Sequence, residues 1–231
     1  MKQLATCWMI ALCVTTVVAQ KETQTRTLEE FHAIELSGPF EVRLVPSHEH
    51  AIKITTKGTV SPDEVKTQVH NKKLCISYRQ KKRDFCNSQR IVLEVHCHNL
   101  KEIITRGVYR LFSYDTLRSD KLVLKVEGVG NVDLLLNVEK LEAHVCGVGN
   151  TELKGIANEQ SVRQSGVGNY KASELVCSKV QMHVEGVGNA EIHATKQLEI
   201  EAIGIGNVRY RGNPEIIRTN ASFLNKIRHV N

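Results

Sequence analysis

Aromatic residues are scarce in this chain: they make up 5% of 231 residues, with one Trp. Proteins that bind nucleic acid interleave basic residues with aromatics on one face. The scarcity excludes a nucleic-acid partner, although the formal net charge is +6. Apart from the N-terminus, no stretch approaches the ~20 apolar residues that cross a bilayer as a helix, so no transmembrane segment is expected. Amphipathic helical periodicity is missing too. A Gly-x-Ser-x-Gly elbow and a His-Glu-x-x-His zinc helix are both absent, so no catalytic residue, metal site or cofactor is assigned. Basic residues are dispersed. The one dense run, Lys81-Lys82-Arg83, precedes Asp84 and reads as a solvated loop, with an anionic polysaccharide or lipid headgroup as the sharper alternative.

The N-terminus stands apart. Residues 1–19 carry Lys2 as their only charge, a mostly apolar run from Leu4 to Val18, and Val17-Val18-Ala19 as a small-residue cleavage site. That is the pattern of a secretory signal peptide. The protein is expected to be exported, to the periplasm, outer membrane or cell surface. Lipidation would use Cys13, but Leu12 precedes it where a lipobox prefers Gly or Ala, so a lipoprotein is the lesser reading. Cleavage leaves 212 residues and a net charge of +5 (30 basic minus 25 acidic). Five cysteines remain: Cys75, Cys86, Cys97, Cys146 and Cys177. Export permits disulfides without requiring them, and an odd count leaves at least one thiol unpaired within the chain. One bridge within Cys75, Cys86 and Cys97 is compatible with their placement.

What the chain has in quantity is one phrase. Gly-Val-Gly-Asn begins at Gly128, Gly147, Gly166 and Gly186, and Gly-Ile-Gly-Asn at Gly204, in steps of 19, 19, 20 and 18 residues. A period near 19 suits one coil of a β-solenoid. Two, four and six residues before each first glycine the positions are almost all apolar, as in Val126, Leu124 and Leu122. The residues between are mostly polar. Alternation resumes after the phrase with Val132, Thr151, Tyr170, Ala190 and Val208. This is the period of strands with one buried face. The expected fold is all-β: a right-handed parallel β-solenoid with the Gly-x-Gly-Asn turns along one edge.

The turn residues are read as structural. They are Gly128, Gly130 and Asn131; Gly147, Gly149 and Asn150; Gly166, Gly168 and Asn169; Gly186, Gly188 and Asn189; and Gly204, Gly206 and Asn207. Glycine bends without a Cβ penalty, and Asn tolerates left-handed backbone and can bond its counterpart in the next coil. Between the glycines stand Val129, Val148, Val167, Val187 and Ile205. Burial at a corner of the core accounts most economically for their branching. An exposed apolar stripe, marking a partner surface, is the alternative.

Organisation follows from the repeat. Residues 20–30 are polar and read as a flexible leader, and 31–231 as the solenoid. Within it, 31–110 is irregular, 122–214 holds the regular coils, and 215–231 is a C-terminal cap that uses Ile216, Ile217, Phe223, Leu224 and Ile227. Two degenerate coils precede the regular ones, bending at Gly38 and Gly107. His96-Cys97-His98 is the densest set of metal-ligand types, but in a strand the two His face away from the Cys, and a polar strand end is preferred. Glu127 and Glu185 share a column about three coil rises apart, too far for a catalytic pair. One outward column, Lys125, His144, Arg163, His183 and Glu201, is neutral-to-basic over its first four coils. If the partner is anionic, Lys125, His144, Arg163 and His183 are its expected binding face.

The run Phe31-His32-Ala33-Ile34-Glu35-Leu36-Ser37-Gly38-Pro39-Phe40-Glu41-Val42-Arg43-Leu44, the approach Asn99-Leu100-Lys101-Glu102-Ile103-Ile104 to Gly107, the five glycine turns, and the closing Gly204-Ile205-Gly206-Asn207-Val208-Arg209-Tyr210-Arg211-Gly212-Asn213-Pro214 carry a resemblance. Together they resemble the putative auto-transporter adhesin, head GIN domain family of exported bacterial proteins. That family often has Ser between the glycines, where this chain has Val or Ile. The resemblance implies an exported, all-β, solenoid-like protein and transfers no catalytic residues. The expected function is a non-enzymatic cell-envelope adhesin or binding module whose partner is a glycan or a surface protein. The alternatives are a polysaccharide-active β-helix enzyme and a structural envelope protein without a ligand.

Overall fold

The computed structural model describes residues 21–79, 90–222 and 225–230. The signal peptide with Cys13, the basic run at 81–83, Cys86, and Phe223 and Leu224 of the tail lie outside the described residues. Seventeen strands run in chain order. They are β1 (Lys21–Thr27), β2 (Ala33–Ser37), β3 (Phe40–Pro46), β4 (Ala51–Lys57), β5 (Lys66–His70), β6 (Lys73–Ser77), β7 (Arg90–Cys97), β8 (Glu102–Arg106) and β9 (Val108–Ser113). They continue as β10 (Leu117–Val126), β11 (Val129–Val145), β12 (Thr151–Gln164), β13 (Tyr170–Val184), β14 (Ala190–Ala202), β15 (Gly206–Arg211), β16 (Ile216–Ala221) and β17 (Asn225–His229).

The fold is an all-β solenoid of about seven turns. Each long strand pairs in parallel with the strand one repeat away, as Leu134 pairs with Leu153 and Leu141 with Gln160. Two hydrogen-bonded ladders result. Segments leading into the glycine turns stack from β6 through β2, β8 and β10 to β14 and β16. Segments leaving the turns stack from β7 through β3, β9 and β11 to β15 and β17. The apolar columns of both ladders meet in one continuous core. The positions two, four and six before each first glycine are buried in all five repeats. Replacing a fully buried core side chain such as Leu153 with Ala costs about 2–5 kcal/mol, from lost transfer energy plus the cavity left behind.

Among the buried polar side chains, Gln160 anchors a hydrogen-bonded group inside that core. Gln160 and Tyr170 are both buried, and Gln160 Nε2 donates to Tyr170 Oη at 2.6 Å. Cys177 Sγ donates to Gln160 Oε1 at 3.2 Å, and burial pushes its thiol up to about 12. Burial likewise pushes the Tyr170 hydroxyl above its ordinary value.

Three readings give way. Residues 21–27 of the polar leader form β1, antiparallel to β4 from Lys21↔Lys57 to Thr27↔Ala51. A strand with no buried side chain is invisible to hydrophobic alternation, because backbone hydrogen bonds and not apolar contacts hold it. β16 adds to β14 and β17 to β15 as a further rung; Ile227 packs against the core, but Ile216 and Ile217 stay about half exposed and do not seal the stack. Cys75 and Cys97 are free thiols, which removes the expected bridge. Cys97 points into the core and Cys75 lies among the outward-facing residues of β6, so alternation sends them to opposite sides.

Candidate binding surfaces

The glycine-turn edge is built by parity. Val126 and Val132 are buried, and counting by two between them lands on Gly128 and Gly130. The glycines take the positions of that parity in a bend where the backbone of the preceding coil leaves no room for a Cβ. A Cβ on Gly149 would stand 1.8 Å from the Gly130 carbonyl oxygen, and φ there is +139°. A Cβ on Gly147 would meet the Gly128 oxygen at 2.5 Å. The same parity turns the residue between the glycines outward, which corrects the expectation of a buried corner. Val108, Val129, Val148, Val167, Val187 and Ile205 are all about half exposed. They pair rung to rung through parallel bridges and form an apolar ridge ~24 Å long at ~4.8 Å per rung.

Beside the ridge runs a ladder of amides. Asn150 Nδ2 donates to Asn131 Oδ1 at 3.2 Å, Asn169 to Asn150 at 2.9 Å, Asn189 to Asn169 at 3.3 Å and Asn207 to Asn189 at 3.4 Å. The backbone N–H of Asn150 also donates to Asn131 Oδ1 at 3.1 Å. These amides are therefore occupied with one another.

Lys125, His144, Arg163 and His183 stand in register on successive rungs. Carboxylates accompany them. Lys125 Nζ is 2.8 Å from Glu102. His183 Nε2 faces Glu185, and its Nδ1 lies 2.8 Å from Glu201. The Glu185 hydrogen bond is the largest effect and raises the His183 pKa; burial opposes it next, and the Glu201 hydrogen bond adds to the rise. His144, Arg163 and His183 line a shallow groove with Ser161, Gln181, Glu199 and Glu201. The column is a mixed-charge surface whose centre is Arg163.

An aromatic cluster gave no motif in the sequence. Phe112 and Tyr114 lie 5.1 Å apart between centroids, tilted by 58°. The Arg43 guanidinium sits 5.2 Å from the Tyr114 centroid, and Arg110 lies 5.4 Å from that of Phe112. Arg43 is paired with Glu94 at 3.5 Å and Asp115 at 3.9 Å. Its only trace in the sequence is an irregular step: Gly107 to Gly128 is 21 residues, against 18 to 20 later.

His96 Nε2 lies 3.2 Å from Glu94, and the His98 ring rests 4.7 Å from that of His48. Among the described residues no group of three or more His, Cys, Asp or Glu converges on a metal-sized site. Cys97 Sγ approaches the Val45 carbonyl, and burial pushes its thiol up to about 12, far from the range of a reactive thiolate.

Comparison with known proteins adds to this geometry. A family model described as "Putative auto-transporter adhesin, head GIN domain" matches residues 30–214. A search of curated proteins finds no significant match. The crystal structure of a putative adhesin from Bacteroides fragilis NCTC 9343 superposes with a TM-score of 0.81 at 26% identity, covering 91% of this chain and 97% of that one. A putative adhesin from Parabacteroides merdae ATCC 43184 gives 0.64 at 21%, covering 92% and 97%. A putative lipid binding protein from Parabacteroides distasonis ATCC 8503 gives 0.64 at 19%, covering 91% and 97%. The latter two similarities show the fold alone.

Proposed function

Because the chain belongs to the putative auto-transporter adhesin, head GIN domain family, we propose that it is an exported, non-enzymatic binding module of the cell envelope. In this reading it meets a glycan or a surface protein with an outer edge. The observation that carries the reading is the Val/Ile ridge, six branched side chains each about half exposed. A contiguous apolar surface in water marks an interaction site more often than chance exposure does. The adhesin description of the Bacteroides fragilis neighbour supports the same class.

The test uses the mature protein and a triple variant, Val148→Ser, Val167→Ser and Val187→Ser, applied to envelope preparations and a glycan panel. We expect binding without turnover, weakened about tenfold in the variant, a difference of about 1.4 kcal/mol. Turnover of any glycan would favour the polysaccharide-active alternative. No binding at all would favour a purely structural protein.

The groove around Arg163 supports a second face, for an anionic partner. Arg163→Ala and His183→Ala would weaken acidic-glycan binding at low salt and pH 5.5, and the effect would fade as salt shortens the Debye length below ~8 Å. Equal affinity in parent and variants removes this face.

A further inference from the structure

We propose that Tyr114 is a stacking platform for one pyranose ring of a glycan, with Asp115 beside it and Arg110 over the neighbouring Phe112. The site goes beyond the ridge reading and lies at the far end of β9 from Val108.

The first support is an interruption of the repeat. Phe112 pairs with Asp133 and Leu117 with Leu136. Five residue steps on one rung therefore face three on the next, a surplus of two. Local insertions in a ladder re-aim side chains. Here the surplus lifts Tyr114, Asp115 and Thr116 to the surface, where all three are exposed.

The second support is the exposure of the ring. Tyr114 is 67% exposed, whereas Phe31, Phe40, Tyr78, Tyr109 and Tyr170 are buried. Its ring contacts are with Phe112 and Arg43 at the surface, outside the buried core.

The third is that its pose is fixed in advance. Arg43 supports one face, with Phe112 against it as a tilted neighbour. Arg43 is itself held by Glu94 and Asp115. A ring already held in place loses little freedom when a ligand arrives. The free face carries the negative side of the aromatic quadrupole. It suits the weakly positive C–H face of a pyranose, an X–H···π contact. Sugar hydroxyls beside the ring would find the acceptor oxygens of Asp115, and those extending past Phe112 the donors of Arg110. Tyr and Arg, with Trp, are enriched among the residues that dominate binding energy at protein interfaces.

The experiment titrates the mature protein with cellohexaose, chitohexaose and hexagalacturonate, read by saturation-transfer NMR. At least one should bind. Tyr114→Ala should weaken that binding about tenfold with an unchanged melting temperature, while Tyr114→Phe stays within about threefold, since the ring and not the hydroxyl carries the contact. Unchanged affinity in Tyr114→Ala overturns the platform and leaves the envelope-binding reading standing. Silence with all three saccharides also overturns the platform, and the ridge keeps its own test in the triple serine variant.

Discussion

The coils from Leu122 onward and the part before Ser113 share one unit, strand–glycine–strand, but they are closed differently. In the later coils β11 to β14 each lie between parallel neighbours, and the columns repeat from the buried positions to the outward Asn ladder. In the earlier part the chain turns back on itself: β4 runs antiparallel to β7, β1 to β4, and β5 to β6. The difference teaches what a solenoid needs at its ends. A repeated coil is stabilised by its neighbours, whereas an end has to be covered with strands that water tolerates. The covering strands β1 and β5 carry no buried side chain.

The largest expected effect breaks the regular half. Gly149→Val should cost about 4 kcal/mol or more, because it combines a backbone clash with a strained φ. The matched change Gly38→Val should cost less, about 1–3 kcal/mol. There the nearest atoms are the Phe40 ring at 2.9 Å, which can rotate, and the Tyr78 oxygen at 3.0 Å. Chemical denaturation of both variants measures the comparison, and equal losses would show that the two halves bend under the same constraint.

Next is the buried polar group of the regular coils. Tyr170→Phe removes the acceptor for Gln160 and leaves a buried amide donor unmet, at about 1–3 kcal/mol. Gln160→Leu with Tyr170→Phe should recover part of that loss, as a double-mutant cycle would read.

The irregular half has its own fastener. Arg26 Nη1 donates to the Val65 carbonyl at 2.7 Å and Thr67 Oγ1 at 2.8 Å, and Nη2 to the Pro62 carbonyl at 2.9 Å. Arg26→Ala should cost about 1–2 kcal/mol and act locally. Amide exchange should quicken over 21–27 and 59–67 and stay unchanged in β12 and β13.

The smallest effect is electrostatic. Glu185 and Glu201 raise the His183 pKa, so the protonated ring favours the folded state. Its contribution is fully present below the ordinary His value of ~6.5 and is lost as pH rises through the raised value. For a surface pair the size is about half a kcal/mol. His183→Gln should flatten that part of the stability–pH curve, and an unchanged curve would show that the pairing contributes nothing.

How far the sequence spoke depended on whether a residue's role repeats. The buried columns, such as Leu124, Ala143, Val162, Met182 and Ile200, were legible because alternation and a period near 19 overlay. The ridge was misread although the count was available. Val126, Gly128, Gly130 and Val132 share one parity, and taking the turn as a reset hid the outward direction of Val129. The polar-to-basic column was legible as a row, but its carboxylate partners were only partly so. Glu185 sits two residues from His183 in the chain, whereas Glu102 reaches Lys125 across a rung.

By itself the sequence determined the all-β class, the coil length, the glycine edge and the inward face of each regular strand. These depend on local conformational freedom and on a repeat that stacks on its own copy. Tertiary structure alone decided the antiparallel cover by β1 and the seating of Tyr114 on Arg43. Both bring together residues far apart in the chain, through backbone pairing or charge, with no hydrophobic periodicity to announce them.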